Sequence, residues 1–139
     1  KDTLTEITDF VLGTFGITAP DSAEHLVKRV IGLPGDRVVC CDADGKLTIN
    51  GVAIDESYVR GDAAPSEVEF DVTVPEDHYW VMGDNRPNST DSRYHQDLPT
   101  KGFVPVEVVV GRAFVVSWPV ENWEFLTNYP ETFGDVPKP

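Results

Sequence analysis

Positive charge is scarce in this 139-residue chain. Lys and Arg number 11 against 24 Asp and Glu, for a formal net charge of −13. That balance argues against a nucleic-acid partner, which needs clustered cations to meet phosphates, and fits a well-solvated acidic surface. Long apolar runs are also missing. None approaches the roughly 18 residues needed to cross a bilayer, and no cationic, apolar leader opens the chain. It begins "KDTLTEITDF" without an initiator Met, and the expectation is a piece of a longer protein. Cysteine is limited to the adjacent pair Cys40 and Cys41. Neighbouring cysteines fit disulfide geometry poorly, so they are expected on opposite faces of a strand as small hydrophobes. They offer no metal-ligand spacing. The three histidines, His25, His78 and His95, stand at no ligand spacing either. A Ser-His-Asp triad stays open from order alone, but no nucleophile-elbow pattern accompanies it.

What is present is mostly strand and turn. Asn50-Gly51 between "LTI" and "VAI" predicts a two-residue type I′ hairpin. Asp44-Gly45 marks a second tight turn. "HLVKRVIG", "RVVCCD", "HYWVMG" and "EVVVGRAFVVSW" are apolar strands, and Val68, Phe70, Val72 and Val74 alternate with polar neighbours as a half-solvated strand does. At the start, Thr3 and Glu6 form a capping-box pattern, and Leu4, Ile7, Val11 and Phe15 follow at helical spacing. A short helix over about 4–15 is therefore expected. No βαβ rhythm is present, so the chain is expected to be mostly β and antiparallel, with six or seven strands. The Pro-rich end, "NYPETFGDVPKP", is expected to be irregular.

Two stretches carry candidate chemistry. In "LVKRVIGLPGD" a lysine, Lys28, sits among Leu26, Val27, Val30 and Ile31. It can lie along a strand edge with its amine in water. Held in apolar surroundings instead, its ammonium is disfavoured and its pKa falls. A general base near pKa 7–8 requires about 4 kcal/mol against the charged form. A hydroxyl would then have to steady the nitrogen without recharging it. The second stretch, "GDNRPNSTDSR", follows directly on an apolar strand. Its residues are turn formers that cap one another. A satisfied network of this density also makes a rigid scaffold that presents one hydroxyl in a fixed direction.

These two stretches, Lys28–Asp36 and Gly83–Arg93, resemble signature boxes of the type I signal peptidases, membrane-anchored serine endopeptidases with a Ser/Lys dyad. "GFVPVEVVVGRAFVVSWP" resembles the family's closing strands, and the likeness covers most of 25–119. Pro87 stands where the family often carries Asp or another polar residue. The resemblance implies coiled antiparallel sheets, with residues 37–72 as a small β cap and 1–36 with 73–139 as the catalytic core. It implies Lys28 as general base and Ser89 as the hydroxyl that orients it. Arg29 with Asp84, and Asp91 with Arg93, would be supporting ion pairs. Leu26 and Val27 would belong to the strand on which an extended signal peptide adds by β-augmentation. No metal or organic cofactor is implied.

The family's nucleophilic serine lies in an S-M-x-P-like box upstream of the lysine, after the membrane anchor. Nothing similar precedes Lys28, where the one serine is Ser22 in "APDSAEH". The expectation is a catalytic portion that lacks anchor and nucleophile and is inactive alone, from a protein acting on the extracytoplasmic side of the membrane. Two rivals stay open at this point. One is a related Ser/Lys peptidase, such as a self-cleaving repressor. The other is a non-catalytic β module that binds extended peptides at a sheet edge. Trp118, Trp123 and Phe125 fit a membrane interface and core packing equally.

Overall fold

The computed structural model describes residues 9–13, 25–112, 115–116, 124–125 and 129–139. Eleven strands occur among them, more than the sequence suggests because several span only two residues. One sheet has five antiparallel strands in the order β8-β7-β2-β1-β9. Its members are β1 (Asp9–Gly13), β2 (His25–Gly32), β7 (His78–Met82), β8 (Val104–Pro105) and β9 (Val109–Arg112). The second sheet, in the order β5-β4-β3-β6, joins β3 (Arg37–Cys40), β4 (Thr48–Ile49), β5 (Val52–Ala53) and β6 (Phe70–Thr73). A separate ribbon pairs β10 (Val115–Val116) with β11 (Glu124–Phe125). Among the described residues no helix is long and apolar enough to cross a membrane.

The expected N-terminal helix is corrected where it can be checked. Residues 9–13 form β1, paired on one side with β2 and on the other with β9. Helical spacing of Leu4, Ile7, Val11 and Phe15 is outweighed by the contiguous apolar run Phe10-Val11-Leu12, which suits a strand hydrogen-bonded along both edges. The capping box lies outside the described residues, as do Ser22, Trp118 and Trp123.

The two sheets share one core. Val30 and Ile31 of β2, Val38 of β3, Ile49 of β4, Phe70 of β6 and Trp80 of β7 belong to a single buried cluster. Trp80 links them, its ring 5.0 Å from Phe70 and 5.5 Å from Phe103. Gly32 stands where the sheets meet. A Cβ there would lie 2.8 Å from Val38 and 2.9 Å from Val74, so the close approach requires glycine. The following turn is fastened by Asp36, whose carboxylate accepts hydrogen bonds from the Leu33 amide at 2.9 Å and from Asn50 Nδ2 at 2.8 Å. Asn50 and Gly51 have φ of 52° and 86°, as the type I′ hairpin between β4 and β5 demands.

Two further expectations are corrected. Cys40 and Cys41 are joined in a vicinal disulfide, the cis peptide between them bringing their Cα atoms to 3.0 Å. Separate thiols are the expectation for neighbours joined by an ordinary trans bond. The C-terminal stretch is also far from irregular. It carries the one-turn helix α1 (Pro130–Phe133), whose proline pre-sets the first helical φ. Phe133 and Val136 are buried in the common core. Thr132 Oγ1 donates to the Asp55 carbonyl at 2.8 Å, and Asn50 Nδ2 donates to the Pro137 carbonyl at 3.0 Å. Phe133→Ala should therefore cost about 3–5 kcal/mol, the range for a fully buried phenylalanine. Chemical denaturation checks it, and a cost below about 1 kcal/mol would show the tail to be dispensable.

Candidate active site

The site forms because β2 is longer than the strand beside it. β1 pairs with residues 25–29 of β2, whereas β7 pairs only with Arg29, Val30 and Gly32. Beyond Arg29↔Met82 the chain of β7 turns away into Gly83 and the polar box. Among the described residues the β7-side edge of Val27 and Lys28 is thus left without a strand partner. A cleft of about 270 Å³ opens there, with Lys28, Gly83, Asp84 and Ser89 in its walls. Val27 is 57% exposed, an unusual condition for valine in a central strand.

Lys28 is half-buried, and its Nζ lies 2.9 Å from Ser89 Oγ. Burial lowers the amine's pKa from the ordinary lysine value. The negative charge of Asp91 opposes that shift, and the positive charge of Arg93 reinforces it. Ser89 packs directly on Gly83. A Cβ on residue 83 would collide with the Ser89 side chain and come within 3.7 Å of Lys28 Nζ. The Gly83 backbone is itself held at both ends, its amide donating to Asp91 Oδ2 at 2.9 Å and its carbonyl accepting from Arg86 Nε at 2.8 Å.

Asp91 is fully buried and chelated by Arg93, with Nε on Oδ1 and Nη2 on Oδ2, each at 2.8 Å. Burial by itself would raise the carboxyl's pKa. The hydrogen bonds from Arg93 and the Gly83 amide outweigh it and hold the pKa below the usual carboxylate value, with the Ser89 hydroxyl acting in the same direction. Arg93 Nη2 also donates to the Arg86 carbonyl at 2.9 Å. Ser92 Oγ accepts from the Val81 amide at 2.9 Å, pinning the box to β7. On the other side of Lys28, buried Arg29 grips Asp84 through two bonds of 2.7 and 2.8 Å. Its guanidinium lies 4.0 Å from the Tyr58 ring centre and 4.8 Å from that of Tyr129.

The structure thus brings Val27, Lys28, Arg29, Asp84 and Ser89 around one cleft, with Asp91 and Arg93 buried behind Gly83. Leu26 follows β2 in register with Leu12. Sequence reasoning missed Arg86, Glu56, Tyr58 and Tyr129. Arg86 is buried and donates from Nη1 to Glu56 Oε1 at 3.0 Å, while Tyr58 donates to Glu56 Oε2 at 2.7 Å. Burial, and then the Glu56 charge, push the Tyr58 pKa well up, so it stays a donor. No local pattern marks Glu56. The two boxes hold three arginines, Arg29, Arg86 and Arg93, and three acids, but Asp36 is taken up by the Leu33 amide and Asn50, so Arg86 draws its carboxylate from outside them.

Residues 6–118 match the profile of the family described as "Signal peptidase, peptidase S26". The chain belongs to that family, which is one of serine endopeptidases. It is 44% identical over 119 residues to a probable signal peptidase I-2 of Synechocystis sp., covering 85% of this chain and 50% of that protein. It is 42% identical over 126 residues to signal peptidase I of Mycobacterium tuberculosis, covering 81% and 42%. The crystal structure of a signal peptidase I from Enterococcus faecalis V583 superposes with a TM-score of 0.55 at 33% identity, covering 76% of this chain and 92% of that one. The chain spans about half the length of the curated relatives it matches.

Two outcomes test this geometry. Gly83→Ala should push Ser89 off Lys28, admit water and raise the lysine pKa toward its ordinary value. An NMR titration of the lysine side chain reads the shift, and an unchanged pKa would separate the amine from the Ser89 contact. Asp91→Ala should destabilise the fold by about 3–5 kcal/mol, because it leaves Arg93 buried without its carboxylate. Urea denaturation measures that loss.

Proposed function

We propose that these residues are the catalytic portion of a signal peptidase I, a membrane-anchored endopeptidase acting on the extracytoplasmic side to cut signal peptides from exported preproteins. The observation that carries this reading is the desolvated Lys28 amine, 2.9 Å from Ser89, beside an open strand edge. In this mechanism neutral Lys28 removes the proton from a serine hydroxyl as the oxygen attacks the scissile carbonyl. The resulting ammonium gives its proton to the departing amine. Lys28 then takes a proton from water, whose oxygen attacks the acyl ester, and returns that proton to the serine oxygen as the ester bond breaks.

Ser89 takes no covalent part. Its hydroxyl accepts an N–H of Lys28 and directs the nitrogen lone pair toward the cleft. Asp91 and Arg93 hold that hydroxyl through Gly83, and Arg29 with Asp84 fixes the cleft wall. The extended substrate pairs with the free edge at Leu26 and Val27, as a strand added to the sheet. Residues 37–72 act as a cap on a core formed by 1–36 and 73–139. Among the described residues the hydroxyl bonded to Lys28 is that of Ser89, so the attacking serine comes from outside them. The described residues alone do not turn over substrate.

An open sheet edge would also suit a module that only binds peptides. The lowered lysine pKa favours catalysis, since a binding edge gains nothing from destabilising an ammonium. In a catalytically competent form of the protein, Lys28→Ala should reduce kcat/KM on a preprotein by about 10²–10⁴-fold while circular dichroism stays unchanged. The rate should fall with acid as Lys28 gains a proton and rise as pH climbs through its pKa. That limb should lie below the ordinary lysine value of about 10.4, because burial disfavours the charge. A variant that keeps most of its turnover would remove Lys28 from the role of base.

A further inference from the structure

Arg60 belongs to none of the constellations above, yet it stands in the wall of the same cleft as Lys28 and Ser89. Its backbone is tied to the site, since the Arg60 amide donates to the Asp84 carbonyl at 3.0 Å. The residue is exposed. Its charge has no ion-pair partner among the described residues. Arg29, Arg37, Lys46, Arg86 and Arg93 each have a carboxylate, and Arg60 has none. In a chain with 24 acids to 11 bases, a surface arginine has many carboxylates available to it. The acid nearest in the cleft, Asp84, already has both oxygens engaged by Arg29.

Arg29 is neutralised by Asp84. Lys28 is shifted toward its neutral form by burial. Among the described residues that line the cleft, Arg60 is therefore the standing positive charge that an entering ligand meets. A guanidinium presents a planar fork suited to carboxylate. Beside it, exposed Val27 offers apolar surface on the free edge. We propose that Arg60 is a specificity-determining subsite that takes a carboxylate side chain, Asp or Glu, from the extended peptide lying along β2. An anionic lipid headgroup is the lesser fit, because the charge lies in the wall of the peptide cleft.

The subsite rests on the functional reading only for where the peptide lies, and the test separates the two. Extended Ala-rich peptides carrying Asp, Asn or Lys at each position in turn are compared in two arms. One arm measures binding to this chain by fluorescence anisotropy, and the other measures cleavage by the competent protein. At one position Asp should be favoured over Lys by about fivefold, the size of a solvent-exposed ion pair. The preference should shrink as salt is raised. Arg60→Gln should abolish the Asp-to-Lys ratio, and Arg60→Glu should invert it. The ratio within each variant is read, so a general change in affinity does not disturb the result.

Equal ratios in the wild type and both variants would overturn the subsite. So would an Arg60 effect seen only with anionic phosphatidylglycerol vesicles and blind to peptide charge. Binding that follows peptide charge without any cleavage would uphold the subsite and remove the peptidase reading instead.

Discussion

The Asp91 carboxylate is the point from which the site is hung. Both its oxygens are engaged by the fork of Arg93, and one of them also takes the amide of Gly83. Through that amide Asp91 sets the position of the single residue on which Ser89 can pack. Through Ser89 it sets the direction of Lys28. Asp91, Arg93, Gly83 and Ser89 are buried against one another, so a shift of one would leave a polar atom without a partner. The polar density after β7, odd as the continuation of an apolar strand, supplies Ser89, Asp91 and Arg93 to this network.

The same network solves an electrostatic conflict. A carboxylate near a lysine normally raises the amine's pKa and keeps it charged. Asp91 does exert that pull on Lys28. Arg93, chelated to Asp91, pushes the other way, so the pair presents little net charge to the lysine and leaves desolvation as the leading influence. Glu56 serves Arg86 in a like manner from the loop that follows β5. Burying three arginines near Lys28 is thus possible because each carries its own acid.

The sequence made the strands and the Asn50-Gly51 hairpin legible, because period-two alternation and φ > 0 turn chemistry are local signals. It also displayed the two boxes, whose residues converge although Lys28 and Ser89 are 61 positions apart. What escaped it depends on distant chain. The strand identity of Asp9–Gly13 comes from neighbours on both edges and defeats a helical spacing read in isolation. Glu56 and Tyr58 look like ordinary loop residues until Arg86 and Arg29 arrive beside them. Tyr129 sits in a Pro-rich stretch with little pattern, and its place under Arg29 follows from the burial of Phe133 four residues on.

The unequal pairing of β2 has a further consequence. A strand flank with idle amides and carbonyls ordinarily invites another molecule to stack its own sheet there, the first step of aggregation. Among the described residues the idle length is short, Val27 and Lys28, and it opens on the cleft that Lys28 and Arg60 line. So brief an edge gives the sheet of a second copy little to extend, and very short exposed edges are one way folded proteins blunt that hazard.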